Sequence, residues 1–108
     1  MKRVNAADAK RLQDEGWAYV DVRTPAEFAA GHPQGAINLP FNAPDFPEQF
    51  AKRFPQKDAK VVIGCQVGGR SMRATAQLEG QGYTQLVDNS AGFDGWSSSK
   101  LPIAKGTP

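Results

Sequence analysis

Val61-Val62-Ile63-Gly64-Cys65-Gln66-Val67-Gly68-Gly69-Arg70-Ser71 is the stretch that decides the fold. The β-branched run from Lys60 to Ile63 reads as a buried strand that ends at Gly64. A glycine-rich turn follows, and Ser71 to Gly80 reads as a helix. A strand that feeds a helix through a tight loop is the working unit of a parallel sheet. In such sheets ligands bind beyond the carboxyl ends of the strands. Cys65, two residues after Ile63, stands at that edge.

The flanking sequence repeats the unit. On the N-terminal side, Asn5 caps a helix over Ala6 to Glu15, with Ala6, Ala9 and Leu12 at helical spacing and Gly16 as its end. Trp17 to Val22 is a short apolar run that closes on Asp21 and reads as a second buried strand. Thr24-Pro25-Ala26-Glu27 opens another helix: Thr caps, Pro fits the first turn, and Glu suits the N-terminal dipole. Gly31 closes it. Gly35 to Pro40 reads as a short extended piece, and Asp45 to Phe54 as a helix with Phe46, Phe50 and Phe54 on one face. Gln85 to Val87 is a last strand, and Gly92 to Trp96 a short helical turn. Ser97 to Pro108 is rich in Ser, Pro and Lys and is expected to be an extended, partly mobile tail. Helices alternating with continuous apolar strands predict an α/β fold, a parallel sheet covered by helices on both faces.

Composition narrows the functional classes. The chain has 108 residues, 40% of them apolar and 22% charged, which fits a single globular domain over 1–108. Its net charge of +2 is spread along the chain, with no basic block of the kind nucleic-acid binders concentrate. No apolar run approaches the ~20 residues of a membrane span. Met1-Lys2-Arg3-Val4-Asn5 carries charge with no apolar stretch behind it, so a cytoplasmic protein is expected. One Cys and one His exclude an internal disulfide and make a poor metal-ligand set. No metal or organic cofactor is expected, and the chain is read as a monomer.

The chemistry concentrates at Cys65. Successive backbone N–H groups in a turn such as Gln66-Val67-Gly68-Gly69-Arg70-Ser71 converge on one point, and the helix N-terminus adds partial positive charge. Gly68 and Gly69 allow the backbone angles of an inward-facing loop. A thiol at the head of this cradle has a lowered pKa, and its thiolate is a nucleophile. The same cradle suits a persulfide anion. Arg70 is placed to bind an anionic donor or to cap the loop from outside.

These residues resemble the rhodanese family of sulfurtransferases. Val20-Asp21-Val22-Arg23-Thr24-Pro25-Ala26-Glu27-Phe28 and Gly31-His32-Pro33-Gln34-Gly35-Ala36-Ile37-Asn38-Leu39-Pro40 look like that family's N-terminal signature. Cys65 to Arg70 looks like its active-site loop, and Gly92-Phe93-Asp94-Gly95-Trp96 like its C-terminal signature. The resemblance implies a rhodanese-like domain with a five-stranded parallel sheet, and Cys65 as a persulfide carrier. It implies a small anionic sulfur donor such as thiosulfate, and a thiol, cyanide or protein acceptor. Related phosphatases use a loop one residue longer around a tetrahedral phosphate, so the Cys65–Arg70 spacing resembles the sulfur-transferring members. Gln66 and Val67 stand where thiosulfate-preferring members often carry cations. Pro33 replaces a common aliphatic residue, and Ala91 a common glycine.

Other polar residues have structural readings. Asp21, Arg23 and Glu27 are taken as supports around the loop, with Arg23 and Glu27 as a pair, because transfer through a preformed thiolate needs little proton shuttling. His32 reads as a hydrogen-bonding turn residue. Ser71 reads as helix N-cap and as a donor to the thiolate. Arg73 reads as a solvated charge, Phe93 as a pocket rim and Trp96 as a core anchor. Two other functions fit a lone cysteine in this setting: a non-catalytic rhodanese-like binding or regulatory module, and a redox sensor that forms sulfenic acid.

Overall fold

The computed structural model describes residues 1–107. In chain order the elements are β1 (Lys2–Val4), α1 (Ala6–Asp14), β2 (Ala18–Asp21), α2 (Pro25–Ala30), β3 (His32–Pro33) and β4 (Ile37–Asn38). They continue with α3 (Phe46–Arg53), β5 (Val61–Gly64), α4 (Gly69–Gly80), β6 (Leu86–Asn89), α5 (Gly92–Ser98) and β7 (Ile103–Ala104). Five strands form one sheet in the order β1-β6-β5-β2-β4. Every pairing in it is parallel.

Alternation along the strands sorts their side chains to two faces. Val20, Val61, Ile63 and Leu86 point to one side, where Phe46 and Phe50 of α3 and Ala74 and Leu78 of α4 cover them. Tyr19, Val62 and Val87 point to the other, under Ala6, Ala9 and Leu12 of α1, Phe28 of α2 and Trp96 of α5. Burying Phe50 completely stabilises the fold by roughly 1.5–3 kcal/mol. Helices therefore lie on both faces, as the alternation predicts.

The caps act locally as the sequence predicts. Asn5 Oδ1 accepts from Asp8 N–H at 2.8 Å. Thr24 and Glu27 form a reciprocal capping box at the start of α2. The β5–loop–α4 unit differs at one point: α4 begins at Gly69, two residues before Ser71. Gly68, with φ +101°, takes the cap position, so the turn is tighter than expected and Ser71 is not the N-cap.

Three short strands have no clear signal in the sequence. β1 is three residues long and finds its place by pairing Lys2, Arg3 and Val4 with Val87, Asp88 and Asn89. β3 and β7 form a separate antiparallel pair, His32 with Ala104 and Pro33 with Ile103. The expected tail is therefore built into the fold at several points, helical at its start and extended only further on. Ser97 and Ser98 finish α5. Trp96 Nε1 donates to Pro102 O at 2.7 Å, and Gly106 N–H donates to Ala29 O at 2.8 Å. Pro108, the last residue of that expected tail, lies outside the described residues.

Candidate functional site

β5 delivers Cys65 to the carboxyl edge of the sheet, between the ends of β2 and β6. The side chain is nearly enclosed, with 2% of its surface exposed. Gly68 N–H donates to Sγ at 3.1 Å. Ser71 Oγ lies 3.5 Å from Sγ and donates to Gly68 O at 3.2 Å. Burial pushes the Cys65 thiol up. The Ser71 hydroxyl and the backbone N–H groups of Ser71, Gly68 and Val67 outweigh it and hold the thiol below its ordinary value. The turn therefore favours a sulfur anion, by charge-assisted hydrogen bonds to N–H groups at a helix start.

Contacts behind the loop set its path. Phe93 N–H donates to Cys65 O at 2.7 Å, and Asp94 N–H to Gln66 O at 3.1 Å. This close approach requires Gly92, whose φ is +62° and whose added Cβ would lie 2.3 Å from Gln66 O. Ala91, in place of the family's common glycine, packs its methyl where a side chain on Gly95 would need to be, so the two small residues share one space. At the end of β5, Tyr19 Oη would lie 2.2 Å from a Cβ on Gly64. Asn89 Nδ2 donates to that hydroxyl at 2.8 Å, and Asn89 Oδ1 accepts from Ala91 N–H. Burial raises the Tyr19 pKa above its ordinary value, so the phenol stays protonated.

The charged supports pair differently from expectation. Arg23 bonds not to Glu27 but to Asp21, through Nε and Nη2 at 2.7–3.1 Å, both side chains being buried. Its Nη2 also donates to Gly31 O, and its Nη1 to Gln66 Oε1 at 2.9 Å. Asp21 wins because strand and turn fold Arg23 back over the residue two before it, whereas Glu27 is already held by Thr24 at the start of α2. Glu27 meets Arg70 instead, at 2.8 and 3.0 Å. Arg70 thus caps the loop from outside. Gln66 also donates from Nε2 to Asp94 Oδ1, linking the second loop position to α5.

A shallow hollow of about 260 Å³ lies beside the loop, lined by Arg23, Glu27, Ala30, Gly31, Gln66 and Phe93. Phe93 forms part of its wall with Arg23 stacked 4.5 Å above the ring, as the rim reading expects. Val67 is 69% exposed at the loop's tip. Trp96 is fully buried and meets Tyr19 edge to face, a core anchor. His32 stacks on Phe28, and its Nδ1 lies 2.8 Å from Phe28 O, so the structure uses it as a packing and turn residue.

Arg3, Asp88, Asn89 and Asp94 are placed around the loop without having been singled out from sequence. Asp94 sits inside a quoted signature segment, a signal that was available. The other three reach the loop only through the β1–β6 pairing and the strand end, which no local pattern announces.

A parallel α/β sheet that presents one cysteine over an anion-binding turn defines a class of fold and site. Within it, a family model of the rhodanese-like domain matches residues 5–99, and the chain belongs to that family. Thiosulfate sulfurtransferase 16, chloroplastic, of Arabidopsis thaliana is 43% identical over 108 residues, covering 92% of this chain and 89% of that protein. Rhodanese-like domain-containing protein 15, chloroplastic, of the same plant is 36% identical and covers 88% of this chain but 57% of its own length. The crystal structure of a rhodanese-related protein from Thermoplasma volcanium is 28% identical and superposes with a TM-score of 0.82, covering 96% of this chain and 98% of that one. Sulfurtransferase activity, in general terms, is what these similarities support.

The same relatives overturn the cytoplasmic expectation. Both plant proteins are named as chloroplastic. The lack of an apolar stretch behind Met1 to Asn5 bears on a secretory signal alone, and chloroplast transit peptides are amphipathic rather than apolar, so that lack does not fix a compartment.

Proposed function

We propose that this chain is a sulfurtransferase that carries sulfane sulfur as a persulfide on Cys65. The observation that carries the reading is the Gly68 N–H on Sγ at 3.1 Å, in a turn that opens α4 at the edge of the sheet. The Cys65 thiolate attacks the outer sulfur of a donor such as thiosulfate. A new Sγ–S bond forms, the donor's S–S bond breaks, and sulfite leaves with the bonding pair. The extra negative charge then sits on the terminal sulfur, where loop N–H groups can receive it. An acceptor thiolate or cyanide attacks that sulfur and returns Cys65 as thiolate. With one cysteine in the sequence, the acceptor must come from outside the chain.

The guanidinium groups that reach the loop are all paired: Arg3 with Asp88, Arg23 with Asp21, Arg70 with Glu27. A small dianionic donor therefore meets no uncompensated cation there. Donors that bring their own contacts, such as a protein-bound persulfide lying against exposed Val67, suit this loop better.

Intact mass after incubation with thiosulfate, 3-mercaptopyruvate or a persulfide-bearing protein tests the reading. The native chain is expected to gain one sulfur atom that cyanide or a thiol removes, and Cys65→Ser is expected to gain none. No gain from any donor would sink the enzyme reading and leave a binding module.

A further inference from the structure

Asp88 and Arg3 form a charge pair behind the loop, and neither belongs to the sulfur cradle itself. Asp88 lies on β6, fully buried, with its carboxylate on the same sheet face as Leu86 and the α4 side chains. Arg3 Nε donates to Asp88 Oδ2 at 2.6 Å, and no group bonds Oδ1 among the described residues. Arg3 Nη2 then reaches Gly68 O at 3.4 Å. Arg3 lies on the edge strand, ahead of residues 5–99 that the family model matches.

Gly68 is where the two sides of the loop meet. Its N–H points at Sγ, and its carbonyl accepts from Met72 N–H at 3.1 Å, from the Ser71 hydroxyl at 3.2 Å, and from Arg3. Ser71 has one hydroxyl proton and two places to send it, Gly68 O and Sγ. With Cys65 protonated, the Ser71 hydroxyl donates to the Gly68 carbonyl while Sγ–H donates to Ser71 Oγ. On ionisation the thiol proton leaves to solvent. The Ser71 proton stays on Oγ and turns to the thiolate. Gly68 O then loses its one hydroxyl donor and keeps the Met72 N–H of the helix ladder and Arg3, the only side chain that still serves it among the described residues.

We propose that Arg3, anchored by Asp88, is a positioning residue that holds the Gly68 carbonyl so that the Ser71 hydroxyl is free to turn to the Cys65 sulfur anion. This rests on Cys65 being the reacting thiolate. Arg3 touches neither substrate nor sulfur in this role. It acts through Gly68 and Ser71.

The pH midpoint of Cys65 alkylation by iodoacetamide tests it in four proteins: wild type, Arg3→Met, Ser71→Ala and the double variant. Arg3→Met is expected to raise the midpoint by about half a pH unit, a roughly three-fold loss of thiolate below it. In the Ser71→Ala background the same change is expected to shift nothing further, because the proton it would release is gone. An unmoved midpoint in Arg3→Met overturns the proposal. So does an equal shift in both backgrounds, which would make Arg3 a plain charge. If Arg3→Met does not fold, Arg3→Lys replaces it in the same cycle. Lysine keeps the ion pair with Asp88 but has no second nitrogen for Gly68 O. Unfolding of both variants also overturns it, since Arg3 would then serve the whole fold. The alkylation midpoint needs no sulfur transfer, so failure of the sulfurtransferase reading and failure of this one are separately visible.

Discussion

Arg70 and Glu27 are joined by two parallel hydrogen bonds, Nη1 to Oε1 at 2.8 Å and Nη2 to Oε2 at 3.0 Å, which fasten the far end of the cysteine loop to the first turn of α2. The geometry is the two-pronged one that gives guanidinium–carboxylate pairs their specificity. Each side chain is about one-third exposed, so solvent screening keeps the pair's contribution to roughly 1 kcal/mol or less. Its consequence is loop placement more than stability.

The pair should be visible in acid. Arg70, against a smaller opposing effect of burial and with help from Thr24, lowers the Glu27 pKa to about 2. A depressed carboxyl contributes stability that is fully present above its unfolded value of ~4.3 and is lost as pH falls through the folded one. The Glu27 carboxyl carbon is therefore expected to titrate by NMR with a midpoint near 2. A midpoint near 4 would mean that the two residues do not pair in solution.

Gly92 and Gly69 make opposite predictions. A methyl at Gly92 would lie 2.3 Å from Gln66 O and 2.7 Å from Cys65 O, on a backbone with φ +62°. Strain and clash coincide there, and the obstacle is backbone. Gly92→Ala is expected to cost roughly 2–4 kcal/mol in urea unfolding. Gly69 has nothing within 4 Å of an added Cβ and begins α4. Gly69→Ala should stabilise by up to about 0.5–1 kcal/mol through helix propensity. Equal midpoints for the two variants would refute the close packing of α5 on the loop.

The contact between Gly64 and Tyr19 can be tested by compensation. An alanine at Gly64 would place Cβ 2.2 Å from Tyr19 Oη and 2.9 Å from Cζ, in a fully packed layer. Overpacking of this kind costs roughly 1–3 kcal/mol. Adding Tyr19→Phe removes the nearest atom but leaves Asn89 Nδ2 without its acceptor. The double variant should recover part of the loss, less than half, in thermal or urea unfolding. Additive losses would show that Gly64 meets something other than the hydroxyl.

What could be read from sequence follows from how local the cause is. Thr24 with Glu27, Asn5 with Asp8, and the strand–loop–helix order from Val61 into α4 depend on neighbours within a few residues, and all form, the last with its helix two residues longer at the start. The α4 start moved because Gly68 adopts φ +101°, which glycine allows and sequence alone does not demand. Arg23 and Glu27 both carry the right charge for the pair that was expected. The choice of Asp21 and Arg70 as partners depends on where α4 brings Arg70, 43 residues from Glu27. β1 and β7 are strands only because β6 and β3 offer them edges. Arg3 at the loop is the extreme case, since an edge strand of three residues positions it.

Release of Arg70 tests how the loop selects its donor. Every guanidinium that reaches the loop is paired, so the argument from charge is that thiosulfate is recruited weakly. Glu27→Gln removes the carboxylate charge that neutralises Arg70 and keeps the size and one acceptor oxygen, so one of the two bonds to Arg70 is lost as well. A freed cation a few ångströms from an anion that water still reaches is worth about 1 kcal/mol at a water-like dielectric, or roughly five-fold in rate. kcat/KM for thiosulfate is therefore expected to rise several-fold in Glu27→Gln, chiefly through KM, and the gain should shrink at high salt. A neutral organic donor should not share it. If thiosulfate gains nothing while the variant stays folded, pairing of Arg70 is not what limits small anionic donors. Gln66, held between Arg23 and Asp94 beside the same hollow, then becomes the residue to change.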